Sequence, residues 1–159
     1  MAVIKFEDVI NDYSEVLPDA GGQAENYLGW VQGATTEMQL PVRIGMQSAA
    51  TGLLKSVMGK SREFLVIVPD SKKLQVYQML HWCSPAGSNL AVGWYMVGGR
   101  RSIASLDLFE ISDLTALFES VHKLAVVRAM YAAVEAVGGD KSRVRERVGG
   151  GFLGLSGGN

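Results

Sequence analysis

The stretch His81–Gly87, HWCSPAG, places a histidine, a cysteine and a serine within four residues, beside a proline. A Cys–His nucleophilic pair needs the imidazole in hydrogen-bond contact with the sulfur, usually with a third group orienting the base. On a strand, His81 and Cys83 stand two apart and share a face. The one other histidine, His122, lies in a distant apolar segment, and SPAGSN is ordinary turn composition. The residues therefore read as the rim of a β-hairpin, with Trp82 facing the core and His81 on the other side. No catalytic residue is assigned.

Other chemistries fare no better. Two histidines and one cysteine leave a metal site short of ligands, and no metal is expected. VGGRRS, Val97–Ser102, sets two glycines beside two arginines and would suit an anion, but it lacks the order of a P-loop or a dinucleotide fingerprint. It reads as a turn, and no cofactor is expected. RVRER, Arg143–Arg147, reads as a solvated tail, because a formal net charge of -1 gives no basic footprint for nucleic acid.

The elements that must carry these residues follow from pattern. At 159 residues, with 48% hydrophobic and 19% charged side chains, the chain has the make-up of one globular domain. Its single cysteine precludes an internal disulfide. Glu7, Asp8 and Asp12 occupy the region a cleavable leader would keep apolar, and no apolar run is long enough to span a membrane, so a cytoplasmic location is expected.

IKFEDVINDYSEVL spaces Phe6, Val9, Ile10, Tyr13, Val16 and Leu17 as a first helix, stopped by Pro18. A second helix is predicted over Glu25–Leu40, where Gly29 and Gly33 suggest a close backbone crossing. A third is predicted over Arg43–Met58, rich in small residues. EFLVIV, Glu63–Val68, then reads as a buried central strand, and KLQVYQMLHW and Leu90–Val97 as its antiparallel neighbours. SIASLDLFEI, whose alternation is mixed, reads as a fourth, shorter extended piece. Ser112–Val137 forms a long helix of about 39 Å at 1.5 Å per residue, with Ser112 as N-cap and Gly138 at C′. The expected fold is α+β: N-terminal helices, a three- to four-stranded antiparallel meander and a long C-terminal helix. A domain over 1–139 is followed by a flexible Gly/Arg-rich tail over 140–159.

The long helix carries an anomaly. Leu114, Leu117, Phe118, Val121 and Ala125 make one stripe, yet Arg128 and Glu135 fall on its extension, while Val126, Val127, Met130 and Val134 continue apolar character around the cylinder. A helix apolar all round needs burial on more than one side. Either the N-terminal helices cover that second face or a partner does. The partner reading makes Val126, Val127, Met130 and Val134 the contact, with Arg128 and Glu135 fixing register. Phe152 and Leu153 of the tail are further docking candidates.

Taken in order, EFLVIV, KKLQVYQMLHWCSPAG, NLAVGWYMV and LDLFEISDLTALFESVHKLAVVRAM resemble the C-terminal two-thirds of the IcmW-like small chaperone/adaptors of type IVB (Dot/Icm) secretion systems. The likeness spans about residues 62–137 and includes the pair Phe109–Glu110 ahead of the long helix. It implies a non-enzymatic protein that pairs with a second small chaperone or secretion component and helps deliver effector proteins to a coupling ATPase, as a homo- or heterodimer. Two rival readings remain open. One is a small-molecule-binding sensory domain, with Tyr77, Trp82 and Trp94 lining its pocket, and the other is a small cysteine-dependent enzyme at His81/Cys83.

Overall fold

The computed structural model describes residues 2–4, 9–51, 62–98 and 105–146. Six strands form one sheet: β1 (Ala2–Ile4), β2 (Val9–Leu17), β3 (Val42–Thr51), β4 (Arg62–Pro69), β5 (Gln78–Ala86) and β6 (Asn89–Val97), in the spatial order β1-β3-β4-β5-β6-β2. Strands β3 to β6 make a four-stranded antiparallel meander, β2 adds to β6 antiparallel, and β1 adds to the far edge parallel to β3. Helix α1 (Ala24–Glu37) and a long C-terminal helix cover one face. The α+β class stands as expected, and so does an antiparallel meander through β4, β5 and β6. The sheet, however, has six strands rather than three or four. β5 starts at Gln78 instead of Lys73 and runs on through Ser84–Ala86, read from sequence as a turn.

Two expected N-terminal helices are strands instead. In Val9–Leu17 the residues Val, Ile, Tyr and Val favour extended backbone, whereas Asn, Asp and Ser are poor helix formers. Tyr13 and Leu17, four apart, fit both a helical and an alternating pattern, and both are buried against the helices. A register shift between Val9 and Asn11 bends the strand and lets Ile10 pack on the core. The segment expected as a third helix pairs with β4 from Val42↔Pro69 to Ala49↔Arg62, with Ile44 packed towards the helices. A helix there would have left the β4 backbone unpaired on one side. The rest of that expected helix, 52–58, lies outside the described residues.

α1 agrees with expectation: Tyr27, Val31 and Thr35 form its buried stripe. Its two glycines do not mark a crossing, because an added Cβ at Gly29 or Gly33 would meet nothing within 4 Å. The fourth extended piece is also revised. Helix α2 (Leu108–Val121) starts four residues before Ser112, because Asp107 caps it by accepting the Glu110 N–H at 2.8 Å. Ser112 instead donates its hydroxyl back to the Leu108 carbonyl at 2.8 Å. Past α2 the helix continues through one π turn (His122–Val126) into α3 (Val127–Ala136). Gly138, at φ 72°, ends it in the left-handed conformation expected of C′.

The π turn resolves the anomaly of the long helix. It inserts one residue into the helical register, so the core positions of α3 move on by one. Ala129 and Ala133 take the places a regular helix would have given to Arg128 and to residue 132, and Arg128 turns out to solvent. The sheet has two apolar faces. Leu65, Ile67, Met79, Val92, Trp94 and Met96 face the helices, and Phe64, Val66, Leu80 and Trp82 form a second buried cluster on the reverse. Trp82 lies over its cross-strand partner Gly93, where an added Cβ would stand 2.7 Å from the indole and 2.3 Å from the Tyr13 carbonyl oxygen.

Candidate partner-binding surface

His81 and Cys83 share a face of β5, but it is the helix-covered face, opposite to the one expected for His81. Trp82 occupies the reverse cluster instead. His81 is fully buried, and neither ring nitrogen has a hydrogen-bond partner. Burial, with a smaller contribution from His122, holds its pKa down at about 3. The Cys83 thiol donates to the Ala24 carbonyl at 3.3 Å, and burial pushes its pKa up. A neutral, unpartnered imidazole beside a thiol kept protonated is not an arrangement that generates a thiolate nucleophile.

The second histidine has a structural task. Trp94 donates its indole N–H to His122 Nδ1 at 3.0 Å, and His122 Nε2 lies 2.8 Å from the Glu146 carbonyl. Tyr13 reaches the adjacent Arg145 carbonyl with its hydroxyl and stacks edge-on against His122 at 4.7 Å. Burial, then the nearby Glu15 carboxylate, pushes the Tyr13 phenol up to about 12. Val144 is buried, and Arg145 pairs with Glu15 at 3.2 Å. The stretch 140–146, expected to begin a flexible tail, is thus strapped across the seam between β2 and the long helix.

The six candidate contact residues of that helix divide by this geometry. Val126, Val127, Met130 and Val134 are buried in the chain's own core, so the intramolecular covering of the second face is the one realised. Arg128 is exposed, and Glu135 is exposed and bridged to Lys141 at 2.5 Å. Phe152 and Leu153 lie outside the described residues. Of the aromatic residues considered for a pocket, Tyr77 and Trp94 sit inside the helix-side core and Trp82 in the reverse cluster.

A different surface stands open. Leu108 and Phe109, at the first turn of α2, are 81% and 82% exposed, the two most exposed large apolar side chains described. Phe109, Asp113, Ala116 and Ser120 follow the i, i+4, i+7, i+11 spacing of one helical stripe. Asp113, Ala116, Leu117 and Ser120 line one wall of a groove of about 370 Å³. Its other wall comes from Leu40 and Pro41 ahead of β3, Pro69 at the end of β4, and Ser71 and Leu74 in the turn that follows. Both Pro41 and Pro69 cap strand ends there, which leaves an apolar floor rather than backbone donors. Glu110 is held by Lys73 at 2.8 Å, so Asp113 is the carboxylate presented at the groove itself. Sequence reading missed this site because the α2 start was set at Ser112. The signal was the adjacent pair Leu108–Phe109, placed before the stripe it belongs to.

No group of histidine, cysteine or carboxylate side chains that could hold a metal occurs among the described residues, and no described helix is long and apolar enough to cross a membrane. Comparison with known proteins brings no relative: no protein-family model, curated protein or solved structure matches the chain.

Proposed function

We propose that this chain is a non-enzymatic protein–protein adaptor or chaperone that seats a segment of its partner in the groove between α2 and the β3–β4 end of the sheet. The observation that carries this reading is the exposure of Leu108 and Phe109 on and beside the stripe that lines an apolar groove. Contiguous exposed apolar surface marks an interaction site, and here two large apolar side chains stand exposed one turn ahead of the groove-lining residues of the same helix. The groove suits a segment that inserts one aliphatic or aromatic anchor over Leu40 and Leu117 and sets a lysine or arginine against Asp113. The resemblance to IcmW-like secretion adaptors supports the same class. It would make the partner a second small chaperone or secretion component, and the cargo an effector protein bound for a coupling ATPase.

The test is a photo-crosslinking amino acid at Ala116, which is exposed, introduced in the native host. The adaptor reading expects a discrete polypeptide adduct, mapped to an apolar segment carrying a basic residue and lost when Phe109 is changed to Asp. A groove of about 370 Å³ also lies within the size range of small-molecule sites. A protein purified with a small-molecule mass increment that Ala116→Trp removes, and with no polypeptide adduct, would overturn the adaptor in favour of the sensory-domain reading.

A further inference from the structure

The two edges of the sheet are treated differently. Along β2, the outward backbone groups are occupied at three alternate positions. The Asp12 N–H donates to Asn11 Oδ1 at 2.9 Å, the Val16 N–H donates to Glu15 Oε1 at 3.1 Å, and the Ser14 carbonyl accepts from Arg145 Nη2 at 2.7 Å. Side chains that satisfy an edge in this way, with acids beside it, keep other strands from pairing there.

At the other edge, β1 covers β3 only over Ala49–Thr51. The preceding stretch, Val42–Ser48, has no strand on its outer side among the described residues. It carries no acid, no proline and no bulge, and Met46, next to its centre, is 47% exposed. Long, flat, unguarded edges are the ones that take up another strand.

We propose that β3 pairs antiparallel with β3 of a second copy about a two-fold axis at Gly45. Among the described residues the stretch without an outer strand has seven positions, and Gly45 is its centre. In that register Ile44 stands opposite Met46 of the second copy, Arg43 opposite Gln47, and Val42 opposite Ser48. Ile44 and Met46 share the helix-side face, so apolar meets apolar, while Arg43 and Gln47 share the reverse face and no like charges are opposed. The length fits as well. The next position outward would set Pro41 of one copy against Ala49 of the other, where β1 begins, and proline ends the ladder there. An isologous contact requires this kind of self-complementarity, whereas an unrelated peptide would not. The pairing joins two six-stranded sheets with both helical layers on the same side. It does not rest on the groove reading.

Two variants of the full chain test the proposal. At Gly45 an added Cβ meets nothing within 4 Å, so Gly45→Glu leaves the fold intact while setting two carboxylates against each other on the axis. Sedimentation equilibrium is expected to give twice the chain mass for the parent and the single mass for Gly45→Glu, with unchanged far-UV circular dichroism. In a Cys83→Ala background, Arg43→Cys with Gln47→Cys is expected to oxidise to a covalent dimer, and Arg43→Cys with Ser48→Cys is not. The two introduced thiols lie about 13 Å apart within one strand, too far to close on themselves. A parent that stays monomeric at every concentration, including one whose edge takes up an added extended peptide, would overturn the proposal. So would a dimer that survives Gly45→Glu and forms no link between the thiols at 43 and 47.

Discussion

Trp94 donates to Nδ1 of His122 across 3.0 Å, and this single bond sets the tautomer of the imidazole. With Nδ1 accepting, the proton sits on Nε2, where the Glu146 carbonyl accepts it at 2.8 Å. A tryptophan in the middle of the sheet therefore decides that the histidine on the π turn holds the C-terminal strap. His122→Phe removes the acceptor for Trp94 and the donor to Glu146 together. We expect a loss of about 2–4 kcal/mol in urea unfolding, from two hydrogen bonds in a buried setting. Trypsin should also cut after Arg143 and Arg145 faster than in the parent, and an unchanged cleavage rate would separate His122 from the strap.

Acid should destabilise the fold well before its carboxylates protonate. Burial depresses the pKa of both histidines, that of His81 to about 3. The unfolded chain, with ordinary histidines, binds more protons below pH 6.5, so this contribution is complete above that value and lost as pH falls towards 3. His81 alone should cost about 2 kcal/mol between pH 6.5 and pH 5 at about 1.4 kcal/mol per pH unit. Denaturant midpoints measured across that range check the slope.

His81→Leu should flatten that acid limb and leave stability at neutral pH equal or higher. Both ring nitrogens are buried without partners, and an apolar side chain removes that desolvation cost. Thermal melts of the two proteins at pH 7 and pH 5 give the comparison. A melt lower than the parent at pH 7 would show that His81 has a partner in solution.

Met130→Glu should unfold the isolated chain. Met130 is fully buried among the residues that join α3 to the sheet, and its sulfur lies 3.7 Å from the Tyr13 hydroxyl. A carboxylate placed there without a partner costs at least about 4 kcal/mol, a large share of a domain's stability. A soluble, folded variant with native circular dichroism would return the face to the list of interaction surfaces.

Gly93→Ala should be as damaging from the other side of the sheet, since its Cβ would press on both the Tyr13 carbonyl oxygen and the Trp82 ring. The expected cost is about 3 kcal/mol or more, read as a lowered urea midpoint with altered tryptophan fluorescence.

The sequence by itself determined the parts whose local pattern has one physical solution. FLVIV, Phe64–Val68, apolar at every position, suits a strand paired on both edges and buried on both faces, and that is its place between β3 and β5. Leu90–Val97, the stripe of α1 and the Gly138 stop were legible for the same reason: propensity and burial agreed. Tertiary structure decided the rest. Tyr13 and Leu17 suit a helix and a strand equally, and only the free edge of β6 makes the strand the better solution. Arg43–Thr51 became a strand because β4 needed a partner on its other side. His81 and Trp82 exchanged faces because β5 registers on Gly93, the one β6 position with room for an indole. The misplaced stripe of the long helix was visible in the sequence, but its cause was not. No local propensity calls for a π turn; it is set by the packing it allows, here the arrival of His122 at Trp94 and of Ala129 and Ala133 at the core.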